Sequence, residues 1–442
     1  MRHISRYLNL GTPEFRAELI GLAVPTLVSL IAEPVFLLVD SVIVGHLGTT
    51  ALAALGAAGA IITLINATFI FLTYSTTSLV ARSLGQDSPA EARKWAASSM
   101  VLALCVGISV SALAYLSENS LLGLVGTPTN VLADARTYLN VSLLGVPATL
   151  LTYSALGSLR GFKMISHSAK IQVAGYVLNA VLDYSLVFGA RLGILGAAVG
   201  TTIVQFLVAA SYLYTTATAM SFSSLSMRTV IGSLRSSLRH GSGLTLRTIT
   251  LRLAILLATW VAAKMGSTSL AAQQVLSSIW TFAAFALDSV AIALQVIVGH
   301  SIGAKDTEKT RTFTRWGMNW SLVIGVALAI PLVVLRVPLS HAFTTSKILQ
   351  HVISHTLIVV SVLQPLAGLV YLLDGVLIGS GDGDFLALAG AVSTAAFVPA
   401  ALLVHYLHPS LDWLWLAYGW FMFCRFLTLG CRERGDAWIT RH

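Results

Sequence analysis

An apolar run of about 20 residues is long enough to cross a bilayer as a helix. This chain has twelve such runs, at roughly 18–44, 51–80, 95–116, 131–157, 168–188, 193–218, 244–263, 270–298, 317–337, 348–378, 384–407 and 411–429. They take up most of the 442 residues, and the remainder is spread over short loops and tails with no room for a separate soluble domain. The rest of the composition agrees. Charged residues make up 10%, against about 25% in soluble domains, which is too little to clothe a water-soluble fold of this size. An ordinary soluble enzyme and a disordered chain are both excluded. The apolar residues lie in continuous runs and not in alternation, which argues against a β-barrel. The expected fold is an all-α membrane protein with twelve transmembrane helices.

Basic residues outnumber acidic ones by 27 to 18, a net charge of +9. In a soluble protein that would suggest nucleic acid. Here it reads as the positive residues that hold loops on the cytoplasmic side, and no nucleic-acid partner is expected. One side collects Arg2, Arg6 and Arg16; Arg82, Arg93 and Lys94; Arg160, Lys163 and Lys170; Arg228, Arg235 and Arg239; Lys305, Lys309, Arg311 and Arg315; and Arg425, Arg432, Arg434 and Arg441. The other side has Arg136, Arg191, Lys264, Arg336 and Lys347, while Arg247 and Arg252 fall inside span 7. The bias predicts a multi-pass protein of the cell (inner or plasma) membrane with both termini cytoplasmic. The first residues are too polar for a signal peptide and read as a short cytoplasmic lead-in. Cys105, Cys424 and Cys431 form neither a disulfide framework nor a metal-spaced cluster, so no metal is expected.

The chain resembles itself at a spacing of 218 residues. Leu47-Gly48-Thr49-Thr50 matches Met265-Gly266-Ser267-Thr268; Ser83-Leu84-Gly85 matches Ser301-Ile302-Gly303; and Arg93/Arg311, Pro147/Pro365, Tyr153/Tyr371, Gly157/Gly375 and Gly161/Gly379 keep the same register. One register held across loops and spans implies two parallel six-helix halves, 1–220 and 221–442, around a central cavity. That architecture suits a secondary transporter working by alternating access. No G-x-x-x-x-G-K-[ST] loop, H-E-x-x-H or nucleophile elbow is present, so neither ATP hydrolysis nor enzyme catalysis has a motif behind it, and no catalytic residue or cofactor is assigned. A gradient must drive the cycle. Each elementary charge moved supplies about 2.3 kcal/mol per 100 mV, and a tenfold substrate gradient costs about 1.4 kcal/mol, so one exchanged proton suffices.

Five acids fall inside spans: Glu33, Asp40, Asp183, Asp288 and Asp374. Each should face a cavity or a partner. Asn179 and Asp183, four apart, share a helix face, and Thr201-Thr202 brings hydroxyls on the next span. Asp40 lies late in span 1, with Glu33 seven residues earlier on roughly the same face, and Pro25 and Pro34 weaken that helix so that it can bend. Two carboxylates close together in an apolar cavity cannot both stay ionised cheaply, which makes such a pair a proton carrier. At the repeat spacing Asp40 maps to Ala258 and Asp183 to Ala401, so the acid pair belongs to the N-terminal half alone. In the C-terminal half, Asp374 or Asp288 is expected to pair with Arg247 or Arg252.

These residues carry a family resemblance. Pro25, Glu33-Pro34 and Val39-Asp40-Ser41-Val42-Ile43-Val44-Gly45-His46-Leu47-Gly48, followed by Ala51-Leu52-Ala53-Ala54-Leu55-Gly56, resemble the first-helix signature of the MATE (multidrug and toxic compound extrusion) transporters. Leu159-Arg160-Gly161 and Gly379-Ser380-Gly381-Asp382 resemble that family's loops after spans 4 and 10. The likeness is greatest to the DinF-like branch. It implies a network of Asp40, Asn179, Asp183 and Thr201, protonation coupled to bending of span 1 at Pro25, and a cavity tyrosine at Tyr138. Span 7 lacks the carboxylate that the NorM-like branch uses for cations, although Asp374 matches that branch's span 10 acid. The resemblance therefore favours a proton gradient over a sodium gradient.

The expected function is export of small amphipathic, cationic organic compounds in exchange for protons. The substrate cavity is assigned to Glu33, Phe36, Tyr138, Tyr153, Arg247 and Asp374; Trp280, Phe282 and Tyr371 are further aromatic candidates. Trp413, Trp415 and Trp420 read as an interfacial belt. The alternatives are a sodium-coupled drug antiporter, or a flippase for lipid-linked or phosphorylated substrates, for which only Arg247 and Arg252 offer phosphate contacts. Apart from the lipid bilayer no partner is expected, and the chain should act as a monomer.

Overall fold

Lipid offers backbone groups no hydrogen-bond partner, so a chain of apolar runs closes its hydrogen bonds within helices. The computed structural model describes residues 9–220 and 227–440, apart from the side chains at 227–229, 235, 239, 240 and 440. Arg2, Arg6 and Arg441, and the side chains of Arg228, Arg235 and Arg239, lie outside the described residues. Among those described there is no strand.

The helices are α1 (Pro13–Gly45), α2 (Thr49–Phe69), α3 (Phe71–Gly85), α4 (Pro89–Leu116), α5 (Glu118–Leu124), α6 (Leu132–Gly161), α7 (Ile165–Tyr184), α8 (Ile194–Met220), α9 (Met227–Lys264), α10 (Ser267–Gly303), α11 (Thr307–Val334), α12 (Arg336–Phe343), α13 (Lys347–Val362), α14 (Gln364–Ser380), α15 (Gly383–Leu407), α16 (Leu411–Arg434) and α17 (Ala437–Thr440). A five-residue π-helical turn, Ser185–Gly189, extends α7. Eleven spans are single runs of helix, α2 and α3 counted together, and the pair α13–α14, bent by 49°, makes the twelfth. The bend falls just before Pro365 in the first turn of α14, where a missing N–H leaves a carbonyl free. By contrast, α1 runs through Pro25 and Pro34 without interruption.

The sequence repeat recurs as geometry. Left-handed backbone occurs at Gly48 and Gly266 (φ 120 and 111), Asp87 and Lys305 (φ 51 and 58), and Lys163 and Gly381 (φ 59 and 79), each pair 218 residues apart. The helix contacts recur as well. Gly157 lets α6 lie against the Thr73 carbonyl of α3, and Gly375 lets α14 lie against the Ala291 carbonyl of α10. Gly107 abuts the backbone of Pro147, and Gly325 that of Pro365. Glycines and prolines at matched positions are thus points of close helix approach in both halves, in keeping with small residues replacing hydrophobic drive as the packing device in lipid.

The chain forms two compact units, an N-unit of residues 28–241 and a C-unit comprising residues from Ser242 on together with the described residues up to Leu27. In the N-unit α6 is the central helix, with Tyr138, Leu139, Leu143, Leu150 and Leu159 buried. In the C-unit α14 is buried along most of its length. The first turns of α1 belong there because Phe15 stacks on Phe313 and packs at a tilt against Trp316 of α11, at 5.1 Å to each ring, and Trp320 donates to the Leu10 carbonyl at 3.1 Å.

Many of the basic residues assigned to the cytoplasmic side lie inside helices, among them Arg93 and Lys94 in α4, Lys170 in α7 and Lys309, Arg311 and Arg315 in α11, and three others are buried there. Arg82 and Arg160 occupy the last turns of α3 and α6, and Arg425 sits within α16; all three are buried. The helices run on past the ends of the apolar runs. Trp415 likewise leaves the expected belt: it is buried against Trp280 and Tyr418, while Trp413 and Trp420 stay exposed.

Candidate ion-coupling site

Four helices of the N-unit converge on one polar cluster. Near its C-terminal end, α1 carries Asp40, which is buried and whose Oδ1 has no hydrogen-bond partner among the described residues. On α7, Asn179 and Asp183 stand one turn apart and both are buried. The Asn179 amide is satisfied at both ends when Nδ2 donates to Asp183 Oδ2 at 3.2 Å and Oδ1 accepts the Thr201 backbone N–H of α8 at 3.1 Å. The Thr201 hydroxyl lies 3.3 Å from the same amide. Tyr138 of α6 is buried beside Thr201, within electrostatic reach of both Asp40 and Asp183, and the two carboxylates act on each other. No salt bridge reaches either acid among the described residues, so the cluster holds two carboxylates without a basic partner.

Two backbone features fit α8 to this site. Gly200 has no side chain where one would strike the Asp183 carboxylate, and Gly196 does the same against the Leu186 carbonyl in the π turn. The π turn begins two residues after Asp183; such turns are rare and recur at functional sites.

Glu33 stands apart from this cluster. It is accessible on α1 and lies within electrostatic reach of Tyr153 on α6 and Tyr176 on α7. Phe36 stacks on Tyr176 at 5.1 Å with the rings 12° from parallel. A carboxylate beside stacked aromatic faces suits an organic cation.

The acids of the C-unit are arranged differently. Asp374 on α14 is buried and held on both oxygens: Arg247 of α9 forms a salt bridge to it and Arg425 Nη2 of α16 reaches Oδ1 at 2.6 Å. Asp288 of α10 and Tyr371 of α14 lie within electrostatic reach of Arg425. The sequence left the pairing open between Asp374 or Asp288 and Arg247 or Arg252, and the structure makes it Asp374 with Arg247. Arg425 was missed, although a lone arginine inside an apolar run was the available signal.

A family model, MatE, matches residues 25–185 and 244–403, most of the chain and both copies of the repeat. The chain belongs to the MATE family. Relatives agree: it is 31% identical to Protein DETOXIFICATION 44, chloroplastic, of Arabidopsis thaliana over 88% of this chain and 78% of that protein. It is 29% identical to DNA damage-inducible protein F of Escherichia coli over 92% and 90%. The fold is that of the Vibrio cholerae MATE transporter VcmN, with a TM-score of 0.88, 22% identity, and coverage of 96% of this chain and 98% of that one. This MATE protein is a multi-pass membrane transporter of the multidrug and toxin extrusion type and not an enzyme. MATE transporters move small organic compounds, and the sequence resemblance to the DinF-like branch accords with the E. coli relative.

Proposed function

We propose that this transporter exports small amphipathic organic compounds, cationic ones among them, in exchange for protons by alternating access. Asp40 and Asp183 are the proton-binding carboxylates. The observation that carries the reading is the asymmetry between the units. Asp40 and Asp183 lie within electrostatic reach of each other with no basic partner among the described residues, so binding a proton relieves their repulsion, whereas Asp374 is already neutralised by Arg247 and Arg425. A sodium ion at Asp374 would have to displace two guanidinium groups from both carboxylate oxygens. Asn179 and Thr201 orient Asp183, Pro25 and Pro34 let α1 respond to protonation, and Glu33 with Phe36 and Tyr153 meets the cationic end of the substrate. The surplus of basic residues on one side supports cytoplasmic termini in a cell membrane, and a single chain carries both repeats, which supports a working monomer.

The test is transport in proteoliposomes. An imposed pH gradient should drive export of ethidium in sodium-free buffer, and Asp40→Asn should abolish that response. Export driven by a sodium gradient alone, or a pH response that survives in Asp40→Asn, would overturn the assignment.

A further inference from the structure

Early in α13, His351 and His355 stand one turn apart, and both are exposed. Their rings run nearly parallel, with 10° between the planes and 6.2 Å between the centroids. The spacing of His351-Val352-Ile353-Ser354-His355 is that of the two histidines in H-E-x-x-H, which hold a metal because residues four apart share a helix face. The glutamate of that motif is missing, so the pair offers ligands without a hydrolytic base. A metal-ligating spacing absent among the cysteines is therefore present among the histidines.

His355 is held in one orientation by a second helix. Its Nδ1 lies 2.8 Å from Oδ2 of Asp412, in the first turn of α16, and the Thr356 hydroxyl donates to Oδ1 of the same carboxylate. A carboxylate accepts, so Nδ1 carries the proton and the lone pair is left on Nε2. The His355 side chain is 62% exposed, and its Nε2 makes no hydrogen bond among the described residues. Metal-bound histidines are held in this way, one ring nitrogen on the ion and the other donating to a carboxylate. The ring nitrogens of His351 make no hydrogen bond among the described residues, and its ring contact is the stack on His355.

We infer that His351 and His355 bind a divalent transition-metal ion of the zinc, copper or nickel class, with Asp412 as the group that orients His355. Imidazole nitrogen suits these ions, whereas calcium and magnesium take oxygen ligands. Among the described residues no group of three or more His, Cys, Asp or Glu is placed to hold a metal ion. The site is therefore an open one, with two imidazoles from the protein and water in the remaining positions. Asp412 stays outside the coordination shell, on the Nδ1 side of His355. Rotation of the exposed His351 ring brings its nitrogen toward the ion on His355 Nε2, at the usual distance of about 2.0–2.1 Å for zinc. The ion would then sit on α13 with its supporting carboxylate on α16.

The test is titration of the purified, untagged full-length chain in neutral detergent, with Zn²⁺ by calorimetry and with Cu²⁺ by electron paramagnetic resonance, which reads nitrogen ligands directly. The wild type should bind the ion through two nitrogens. His351→Ala, which leaves the Asp412 contact in place, and His355→Ala should each weaken binding at least about tenfold. Asp412→Asn should weaken it by about 10-fold to 100-fold, the usual effect of removing a supporting carboxylate. His405→Ala combined with His408→Ala, at the far end of α15, should leave binding unchanged. Equal affinity in wild type, His351→Ala and His355→Ala overturns the inference, and so does a Cu²⁺ spectrum without nitrogen coupling or a loss confined to the His405 and His408 variant. Full affinity in Asp412→Asn overturns the orienting role. Neither a gradient nor a transported compound enters the measurement, so it stands apart from the coupling assignment at Asp40.

Discussion

Gly200 of α8 faces the Asp183 carboxylate of α7 so closely that any side chain at position 200 would occupy the space of its Oδ1. The geometry of the proposed proton site therefore depends on a residue with no chemistry of its own. Gly200→Ala should displace Asp183 from Asn179 and flatten the dependence of export on pH, whereas Gly56→Ala, where a side chain meets open space, should leave it intact. Export measured across a series of external pH values, on variants matched for yield, decides the point. An unchanged profile for Gly200→Ala would remove Gly200 from the site.

Glu33 and Asp40 share a helix but belong to different clusters, so their substitutions should separate. Glu33→Gln is expected to raise the KM for ethidium by about tenfold while export still follows the pH gradient. Asp40→Asn should lower kcat and uncouple export from the gradient. Initial rates over a range of substrate concentrations resolve the two effects, and a shared phenotype would mean that one carboxylate pair serves both tasks.

Asp374 neutralises the buried Arg425 and the part-buried Arg247, so its loss should be more damaging to the fold than loss of Asp40. Removing one partner of a buried ion pair typically costs about 3–5 kcal/mol. Asp374→Ala should lower the midpoint of thermal unfolding in detergent more than Asp40→Ala does. Adding Arg425→Met to Asp374→Ala should recover part of the loss, because one uncompensated charge goes with it.

The repeat-related glycines make a paired prediction. A methyl group at Gly157 would meet the Thr73 carbonyl, and one at Gly375 the Ala291 carbonyl. Each alanine substitution should destabilise by about 1–3 kcal/mol through overpacking, and the two losses should add because they lie in different units. Thermal melts of the two single variants and the double variant test this; a neutral effect at either site would mean that the helices separate easily there.

The spans, their number and their repeat were legible because each rests on local chemistry. A run of about 20 apolar residues has one stable conformation in lipid, so hydropathy alone locates the helix. Asn179 and Asp183 were legible for a similar reason, since four residues on one helix always share a face. The helix ends were less so. Arg82 and Arg160 looked like loop residues because polarity was taken to end a span, yet a buried arginine continues a helix once it has a protein environment around it.

By itself the sequence determined an all-helical membrane protein, its twelve spans, its two-fold repeat and the short roster of intramembrane charges, because period, length and hydropathy act within one helix. Only the tertiary structure decided how that roster is divided. It brought Asp40 within electrostatic reach of Asp183 without a counter-charge, gave Asp374 two arginines from distant helices and set Glu33 within reach of Tyr153 and Tyr176. The physical reason is that the partner of a charge in lipid is chosen by which helices come into contact. Residues such as Gly200, Gly157 and Gly375 govern that contact through the space they leave empty, and no local pattern records what fills it.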